Sequence, residues 1–286
     1  MVLRIKTPLF FLIPMLSIIG LIISPIFISF YISFTKSGRG IFDFNFSGFY
    51  AYEFILHEIR FYNNIMTTLY VIIISLAISY TVGLALALAF QKINKLNNFV
   101  RATLLAGYVM MPAAIAIVFK FIFDPYGGVY TILLSYFGYP ATNPFLNTWS
   151  ALGIIILAIT WRKIPLAMIF LWSGLQSITP ELYESARIDG AGKWGCFRYI
   201  TLPLLKSTSL ATILLLLLSG VYLVEFPLLL TGGGPAYSTE TIILRLYQEA
   251  FNYLNWGYAS AIGSVLVVVT MIILSPIVIG VLKYGK

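Results

Sequence analysis

Six long apolar runs constrain this chain more than any other feature of its sequence. They lie at about Leu9–Phe34, Asn64–Phe90, Phe99–Phe123, Ala151–Leu175, Thr208–Leu230 and Tyr258–Leu282. Because a helix rises about 1.5 Å per residue, roughly 20 residues cross the ~30 Å hydrocarbon core of a membrane. The sequence therefore predicts an all-α, polytopic membrane protein with six transmembrane helices, forming a single membrane domain over residues 1–286.

Composition and charge exclude several classes of protein. Only 10% of the 286 residues are charged and 60% are hydrophobic, whereas about 25% are charged in a typical soluble domain. The net charge of +8 does not indicate a nucleic-acid partner, because the basic residues are scattered at the ends of apolar runs. Most of the chain is therefore expected to lie in lipid. The single cysteine, Cys196, excludes an internal disulfide and a cysteine-based metal cluster.

The basic residues also predict an orientation, since cytoplasmic loops carry an excess of Lys and Arg. One side of the membrane receives Lys36, Arg39, Arg60 and Arg245. The other side receives many more in its connections and both termini: Arg4, Lys6, Lys92, Lys95, Arg101, Arg187, Lys193, Arg198, Lys206, Lys283 and Lys286. Both termini are therefore expected in the cytoplasm, together with a polar segment at 181–203.

That polar segment predicts a helix-turn-helix lying across the cytoplasmic side. Thr179 is expected to cap the first helix, Pro180 suits its first position, and the helix continues through Arg187. Asp189–Gly192 breaks it. A second short helix is expected from Lys193, ending at Leu202-Pro203. On the opposite side of the membrane, 232–256 is expected to form a glycine-rich turn followed by an amphipathic helix with its apolar face on Ile242, Leu246 and Phe251.

Several of these residues resemble a known family. Glu184-Ser185-Ala186, Gly190 and Ile200-Thr201-Leu202-Pro203 resemble the cytoplasmic loop signature of permease subunits of binding-protein-dependent ATP-binding-cassette (ABC) importers. The chain also resembles the sugar-importer branch of this family, which includes the maltose, glycerol-phosphate and multiple-sugar type. The resemblance lies in two outer motifs, Thr231-Gly-Gly-Gly-Pro235 and Gly257-Tyr-Ala259. The resemblance covers about 63–286, with the loop at about 177–206. Ser185 and Ser207 depart from it, since Ala and Pro are usual there.

The resemblance implies a type I ABC importer permease fold and a transport role without catalytic residues or a metal site. A cytoplasmic ATPase would dock on the loop and would itself bind ATP and Mg²⁺. The implied partners are a second homologous permease, two ATPase subunits, an external solute-binding protein and a sugar, in the plasma membrane of a prokaryote. The positions that would contact the ATPase are Tyr183, Glu184, Ser185, Ala186, Asp189, Gly190, Ala191, Phe197, Ile200, Leu202 and Pro203.

Polar groups inside the spans are candidates for a translocation path, because ionisable residues in a membrane usually face a bundle interior or an aqueous route. The candidates are Trp161, Arg162, Tyr222 and Glu225, with Lys163 also at membrane depth. Aromatic faces and charged groups suit a hydroxyl-rich solute. The alternative is structural, with an ion pair or hydrogen bonds holding the fourth and fifth spans together.

Other interpretations of the sequence remain open. An ion-coupled secondary transporter would need ion-carrying carboxylates or histidines in its spans. A membrane-embedded enzyme would need a convergent acid–base cluster, and the segment at 181–203 could also be a simple interfacial linker. The sequence contains no Gly-x-x-x-x-Gly-Lys-Ser/Thr motif, so this chain is not expected to bind ATP phosphates itself.

Overall fold

A computed structural model of the chain describes residues 6–37, 44–91, 95–221 and 223–284. Helices dominate, as predicted for an all-α membrane protein. In chain order they are α1 (Lys6–Ile32), α2 (Tyr50–His57), α3 (Ile59–Ala89), α4 (Lys95–Val109), α5 (Pro112–Ile122), α6 (Val129–Tyr136), α7 (Thr148–Gln176), α8 (Pro180–Ile188), α9 (Lys193–Cys196), α10 (Leu202–Leu204), α11 (Lys206–Val221), α12 (Glu225–Leu230), α13 (Ile242–Tyr247) and α14 (Trp256–Tyr284).

Shorter elements complete the described part of the chain. Two strands, β1 (Thr35–Ser37) and β2 (Phe44–Phe46), pair antiparallel with Thr35 opposite Phe46. A 3₁₀ turn covers Pro144–Leu146, and two π-helical turns cover Phe197–Thr201 and Gln248–Asn252. The strand pair was not expected from the sequence, in which the segment after the first apolar run shows no clear pattern.

Four of the six expected spans coincide with single long helices, namely α1, α3, α7 and α14. Within the described residues, α3, α7 and α14 are each long and apolar enough to cross a membrane by themselves. The third and fifth expected spans are divided. Two sharply bent helix pairs, at 102–122 and 193–221, raise the number of such segments to five if each pair is counted as one span.

The third expected span is interrupted at Met110–Met111, where α4 stops and α5 begins at Pro112. The last two turns of α4 and α5 make an angle of 99°. Proline has no N–H to donate and forces the preceding residue towards extended backbone, and Met111 has φ −59° and ψ 134°. The fifth span is likewise divided, between α11 and α12.

The chain divides into two compact units. The first comprises Met1–Phe61 and Arg245–Val269, and the second comprises Tyr62–Leu244 and Thr270–Lys286. In the first unit, edge-to-face and tilted ring contacts join Phe34, Phe49 and Tyr52 beside the strand pair. These aromatic contacts connect the end of α1 to the start of α2.

The second unit contains two apolar clusters. The larger one brings together buried residues of α3, α5, α7 and α12, including Val71, Ile115, Ile155 and Phe226. The other lies at the opposite ends of α3 and α7 and contains Ala87, Met168, Leu171, Leu175, Ile178 and Leu205. Dispersion and close packing stabilise such helix contacts in lipid, where the hydrophobic effect contributes little between helices.

Candidate functional site

The polar segment at 181–203 folds as two short helical arms joined by a tight turn. The first arm is α8, which ends at Ile188, and Gly190 follows with φ +85°. The N–H of Ala191 donates to the carbonyl of Ala186 over 2.8 Å, which closes the end of the helix. A left-handed residue at this position is a common helix ending, and glycine adopts it without steric cost.

One detail of the predicted arms is wrong. Thr179 precedes α8, but its side chain makes no capping hydrogen bond. The second arm runs through α9, the π-helical turn Phe197–Thr201 and α10, and it ends at Leu204, one residue beyond the predicted Leu202-Pro203. Proline is accepted there because it lies in the first turn of α10, where its missing N–H removes no regular helical bond.

The arms are attached to each other and to the spans. The hydroxyls of Tyr183 and Thr201 are hydrogen-bonded at 3.0 Å, which joins the first arm to the second. Tyr183 and Ile200 pack against the second apolar cluster, and Leu205 at the end of the loop is fully buried in it. The arms are therefore packed against the ends of α3 and α7.

The expected docking residues separate into exposed and half-buried positions. Those exposed are Glu184, Ser185, Asp189, Gly190, Leu202 and Pro203, whereas the half-buried ones are Tyr183, Ala186, Ala191, Phe197 and Ile200. A cleft of about 930 Å³ opens between the arms and is lined by Tyr183, Glu184, Ala191 and Phe197, among others. These four expected docking residues meet at the recess, whereas the others do not line it: Ser185, Ala186, Asp189, Gly190, Ile200, Leu202 and Pro203.

Two exposed apolar side chains beside this recess were missed. Ile188, at the end of α8, is 87% exposed, and Trp194 is also largely exposed, with its ring 5.5 Å from that of Phe197. Large apolar residues within a polar segment were the available signal. Exposed apolar surface bordered by polar groups is typical of protein–protein contacts.

Three of the four candidate path residues, Trp161, Arg162 and Glu225, lie on α7 and α12, which pack against each other and against α5. The indole of Trp161 is 45% exposed, meets the ring of Phe119 edge-on at 6.2 Å and lines a cavity of about 180 Å³. The guanidinium of Arg162 lies over the ring of Tyr108 with 4.9 Å to its centroid. Trp161 and Arg162 thus each contact an aromatic ring, on α5 and α4 respectively.

Glu225 begins α12, and its Oε2 is buried without a hydrogen-bond partner. Among the described residues no hydrogen bond or ion pair joins it to Arg162. The fourth candidate, Tyr222, lies outside the residues that the structure describes. An unpaired carboxylate oxygen next to a break in a membrane helix is costly, and such groups usually mark a functional position.

The fourth and fifth spans are instead joined by Lys163. This side chain is fully buried, and its Nζ donates to the carbonyl of Leu216 in the last turns of α11 over 3.1 Å. A cation is favourable near the C-terminal end of a helix, where carbonyl groups lack intrahelical partners. The structural role considered for polar groups in these spans is thus taken by Lys163.

The glycine-rich motif after α12 is a compact loop closed by threonines. Thr239 donates to the carbonyl of Gly234 over 2.7 Å, and its hydroxyl lies 2.7 Å from that of Thr231. Ala236 and Tyr237 adopt positive φ angles of 46° and 61°. Non-glycine residues rarely adopt this conformation, and surrounding contacts must hold it.

The helix predicted after the glycine-rich turn is present as α13, with Ile242 buried, but a buried charged cluster shows that its polar face was predicted wrongly. The guanidinium Nη2 of Arg245 lies 3.2 Å from Oε1 of Glu58 and 2.8 Å from Oε1 of Glu249. Arg245 and Glu249 are buried, whereas Phe251, expected on the apolar face, is exposed. Burial raises the pKa of the Glu249 carboxyl, and Arg245 opposes this shift. The i,i+4 spacing of Arg245 and Glu249 was the available sequence signal.

Comparison with known proteins assigns the chain to a family. The profile of the family described as "Binding-protein-dependent transport system inner membrane component" matches residues 79–283, from α3 to α14. The chain belongs to this family. Its fourth, fifth and sixth spans and the loop at 181–203 all lie within the matched region, and the fold is that of the type I importer permeases.

Two named relatives extend the comparison. The sn-glycerol-3-phosphate transport system permease protein UgpA of Rhizobium meliloti is 32% identical over 79% of this chain and 77% of its own length. The trehalose/maltose transport system permease protein MalF of Thermococcus litoralis is 29% identical over 96% and 92%, respectively. Both similarities extend across most of each chain.

Two solved structures are similar in fold. A chain of a bacterial ABC transporter involved in the import of the acidic polysaccharide alginate aligns with a TM-score of 0.80 at 20% identity, covering 98% of this chain and 96% of that one. A second match is a chain of a bacterial alginate ABC transporter in complex with alginate pentasaccharide-bound periplasmic protein. It aligns with a TM-score of 0.71 at 22% identity, covering 80% of this chain and 81% of that one. At these identities the likeness concerns the fold.

Proposed function

We propose that this chain is the membrane-spanning permease subunit of an ATP-driven ABC importer for a sugar or related polyol. The observation that carries the proposal is the two-armed loop at 181–203, whose exposed surface suits a partner and whose buried side anchors on α3, α7 and α11. Family membership supports it, and the relatives' names favour a hydroxyl-rich solute.

The loop would transmit force because it is stiff and firmly attached. Closure of two ATPase subunits on ATP and Mg²⁺ would displace the arms. The Tyr183–Thr201 hydrogen bond and the buried Leu205 would carry that displacement into the spans. Glu184 would pair with a basic group of the ATPase, while Ile188 and Trp194 would supply apolar contact area.

The proposed assembly contains a second homologous permease and an external solute-binding protein, in a prokaryotic plasma membrane with both termini in the cytoplasm. Trp161, Arg162, Tyr222 and Glu225 would line this chain's half of the path. An ion-coupled secondary transporter is disfavoured, since the chain belongs to a binding-protein-dependent family. ATP hydrolysis would reside in the partner ATPase, so this subunit is not expected to be an enzyme.

Site-specific cross-linking tests both docking and orientation. In a Cys196→Ser background, Ile188→Cys places a thiol on the exposed end of α8, and Tyr126→Cys places one on a residue that is 95% exposed in the loop after α5. Co-expressed with its ATPase, the Ile188→Cys variant should form a cross-link to that subunit, while the Tyr126→Cys variant should not.

In intact cells a membrane-impermeant maleimide should label the Tyr126→Cys variant and leave the Ile188→Cys variant unlabelled. Labelling in the opposite pattern would overturn the orientation. Absence of any ATPase cross-link from Ile188→Cys in an assembled complex would overturn the docking role.

A further inference from the structure

A second cavity lies within the first unit, among residues that the proposed transport path does not use. It holds about 510 Å³, within the range of about 300–1,000 Å³ typical of small-molecule sites. Its lining comes from β1, α2, the start of α14 and the segment from α13 to Asn255. The distribution of Lys and Arg residues predicts that these elements lie on the outer side of the membrane.

The inner wall of this cavity is a connected set of buried polar groups. Arg245 and Glu249 are 7% and 6% exposed, and Arg245 donates to both Glu249 and Glu58. The hydroxyl of Tyr258 donates to the other oxygen of Glu58. The Nε and Nη1 atoms of Arg245 have no hydrogen-bond partner. Leaving buried donors unpaired costs about 1–3 kcal/mol, so the cluster has unused hydrogen-bonding capacity.

The charges on the cavity wall are balanced. Of the described residues that line it, Lys36 and Arg245 are basic, whereas Glu58 and Glu249 are acidic. Because these four charges cancel, a charged ligand would gain no net Coulomb attraction to offset the cost of losing its hydration. A neutral molecule with both donors and acceptors meets no such penalty, since carboxylates accept from hydroxyl groups and guanidinium donates to them.

The mouth of the cavity is aromatic. Tyr50, Phe54 and Tyr253 line it, and each leaves about half of its side chain exposed. The ammonium group of Lys36 lies 5.0 Å from the centroid of the Tyr50 ring. Aromatic side chains around a few fixed polar groups are the usual composition of a small-molecule site, because the rings give apolar contact and the polar groups give orientation.

The backbone at one edge of the cavity is irregular. Glu249 belongs to the π-helical turn Gln248–Asn252, and Leu254 has φ +55° although it is not glycine. The N–H of Asn255 donates to the carbonyl of Glu249 over 2.8 Å, which fixes this turn. π-helical turns and left-handed non-glycine residues both occur preferentially at functional positions.

We propose that this cavity is a second binding site, separate from the path at Trp161, for a neutral hydroxyl-rich molecule of sugar or polyol size. Tyr253 and Tyr50 stack against the apolar face of the ligand. Glu58, Glu249 and Arg245 contact its hydroxyl groups. The chemical class agrees with the proposed transported solute, but the site does not require that transport be driven by ATP.

Direct binding to the full chain in lipid nanodiscs tests the proposal. Titration calorimetry would use trehalose, maltose, mannitol and glycerol as neutral probes, with sn-glycerol 3-phosphate and spermidine as charged ones. At least one neutral probe is expected to bind, and Tyr253→Ala should weaken its affinity at least tenfold. The matched control is Tyr139→Ala, which removes a comparably exposed tyrosine of the second unit and should leave affinity unchanged.

A second pair of variants separates this site from the path. Glu249→Gln should weaken the binding of the neutral probe, whereas Trp161→Ala should leave its affinity unchanged. If no neutral probe binds, if a charged probe binds more tightly, or if Tyr253→Ala has no effect, the cavity is not such a site. Loss of binding in Trp161→Ala alone would place the ligand in the path, overturning this inference while leaving the proposed transport function intact.

Discussion

The ammonium group of Lys163 occupies the space that a side chain at position 220 would need. A Cβ built on Gly220 would lie 2.5 Å from Nζ of Lys163, well inside van der Waals contact. The same Nζ donates to the carbonyl of Leu216, one turn earlier in α11. Glycine at this position therefore leaves room for α7 to place a buried amine against the last turns of α11.

The first prediction follows from this contact. Gly220→Ala should lower the melting temperature in detergent, because the new Cβ displaces the end of Lys163, and leaving its buried ammonium without the bond to Leu216 costs about 1–3 kcal/mol. Lys163→Ala should also destabilise the protein, since it leaves a cavity and removes the bond to Leu216. The double variant should lose less stability than the sum of the two, by about 0.5 kcal/mol or more. Strict additivity would show that the two residues do not interact.

How far the fold follows from the sequence depends on the range of the interaction involved. Continuous apolar runs located α1, α3, α7 and α14, because span length is a local property. Pro112 lies inside the third run, and the sequence did not reveal whether it would bend or divide the helix. That outcome depends on neighbouring helices that can satisfy the freed backbone groups.

The candidate sites show the same limit. The turn at Gly190 followed from its Asp-Gly-Ala-Gly sequence, which is a local signal. The burial of Arg245 did not, because Glu58, which helps to neutralise it, precedes it by 187 residues. Without that partner, a charged residue on a short helix is expected on the polar face. The anchor between Lys163 and Leu216 was hidden for the same reason, since a backbone carbonyl has no sequence signature.

The second prediction concerns the turn of the cytoplasmic loop. Gly190→Val should reduce coupling between ATP hydrolysis and uptake, because a β-branched residue at φ +85° is strained by about 1–2 kcal/mol. Gly192→Val is the matched control. At both glycines the position that a Cβ would occupy has no atom within 4 Å, but Gly192 has an ordinary φ of −72°.

Uptake and ATPase activity of the reconstituted importer would be measured together for these two variants. Gly190→Val should lower the number of solute molecules moved per ATP, while Gly192→Val should stay near the parent. Equal losses in both variants would mean that bulk at the docking surface, and not the turn geometry, is responsible.

The third prediction concerns Arg162, whose guanidinium lies over the ring of Tyr108. Tyr108→Leu should lower the initial rate of solute uptake, because the guanidinium loses a cation–π contact of about 0.5–2 kcal/mol and its fixed position. Tyr108→Phe keeps the ring and should retain most of the rate. Equal uptake by both variants would show that this contact does not position Arg162 for transport.

The fourth prediction concerns pH and the buried cluster of the first unit. Burial raises the pKa of Glu249 above the ordinary value of 4.5, Arg245 and Arg60 oppose the shift, and Glu58 adds to it. The folded state therefore holds this proton more tightly than the unfolded state. The stability that this carboxyl contributes is present in full below pH 4.5. It declines as the pH rises towards the higher pKa that Glu249 has in the folded state.

Glu249→Gln removes this titration while keeping the size of the side chain. The melting temperature of the variant relative to the parent should therefore become more favourable as pH is raised from about 4.5 towards neutrality. Glu53→Gln, on the exposed side of α2, serves as control and should show no such trend. Parallel melting curves for the parent and Glu249→Gln across this range, or a difference that grows towards acid, would contradict the predicted linkage. The comparison isolates Glu249 because both variants remove one negative charge from the same unit.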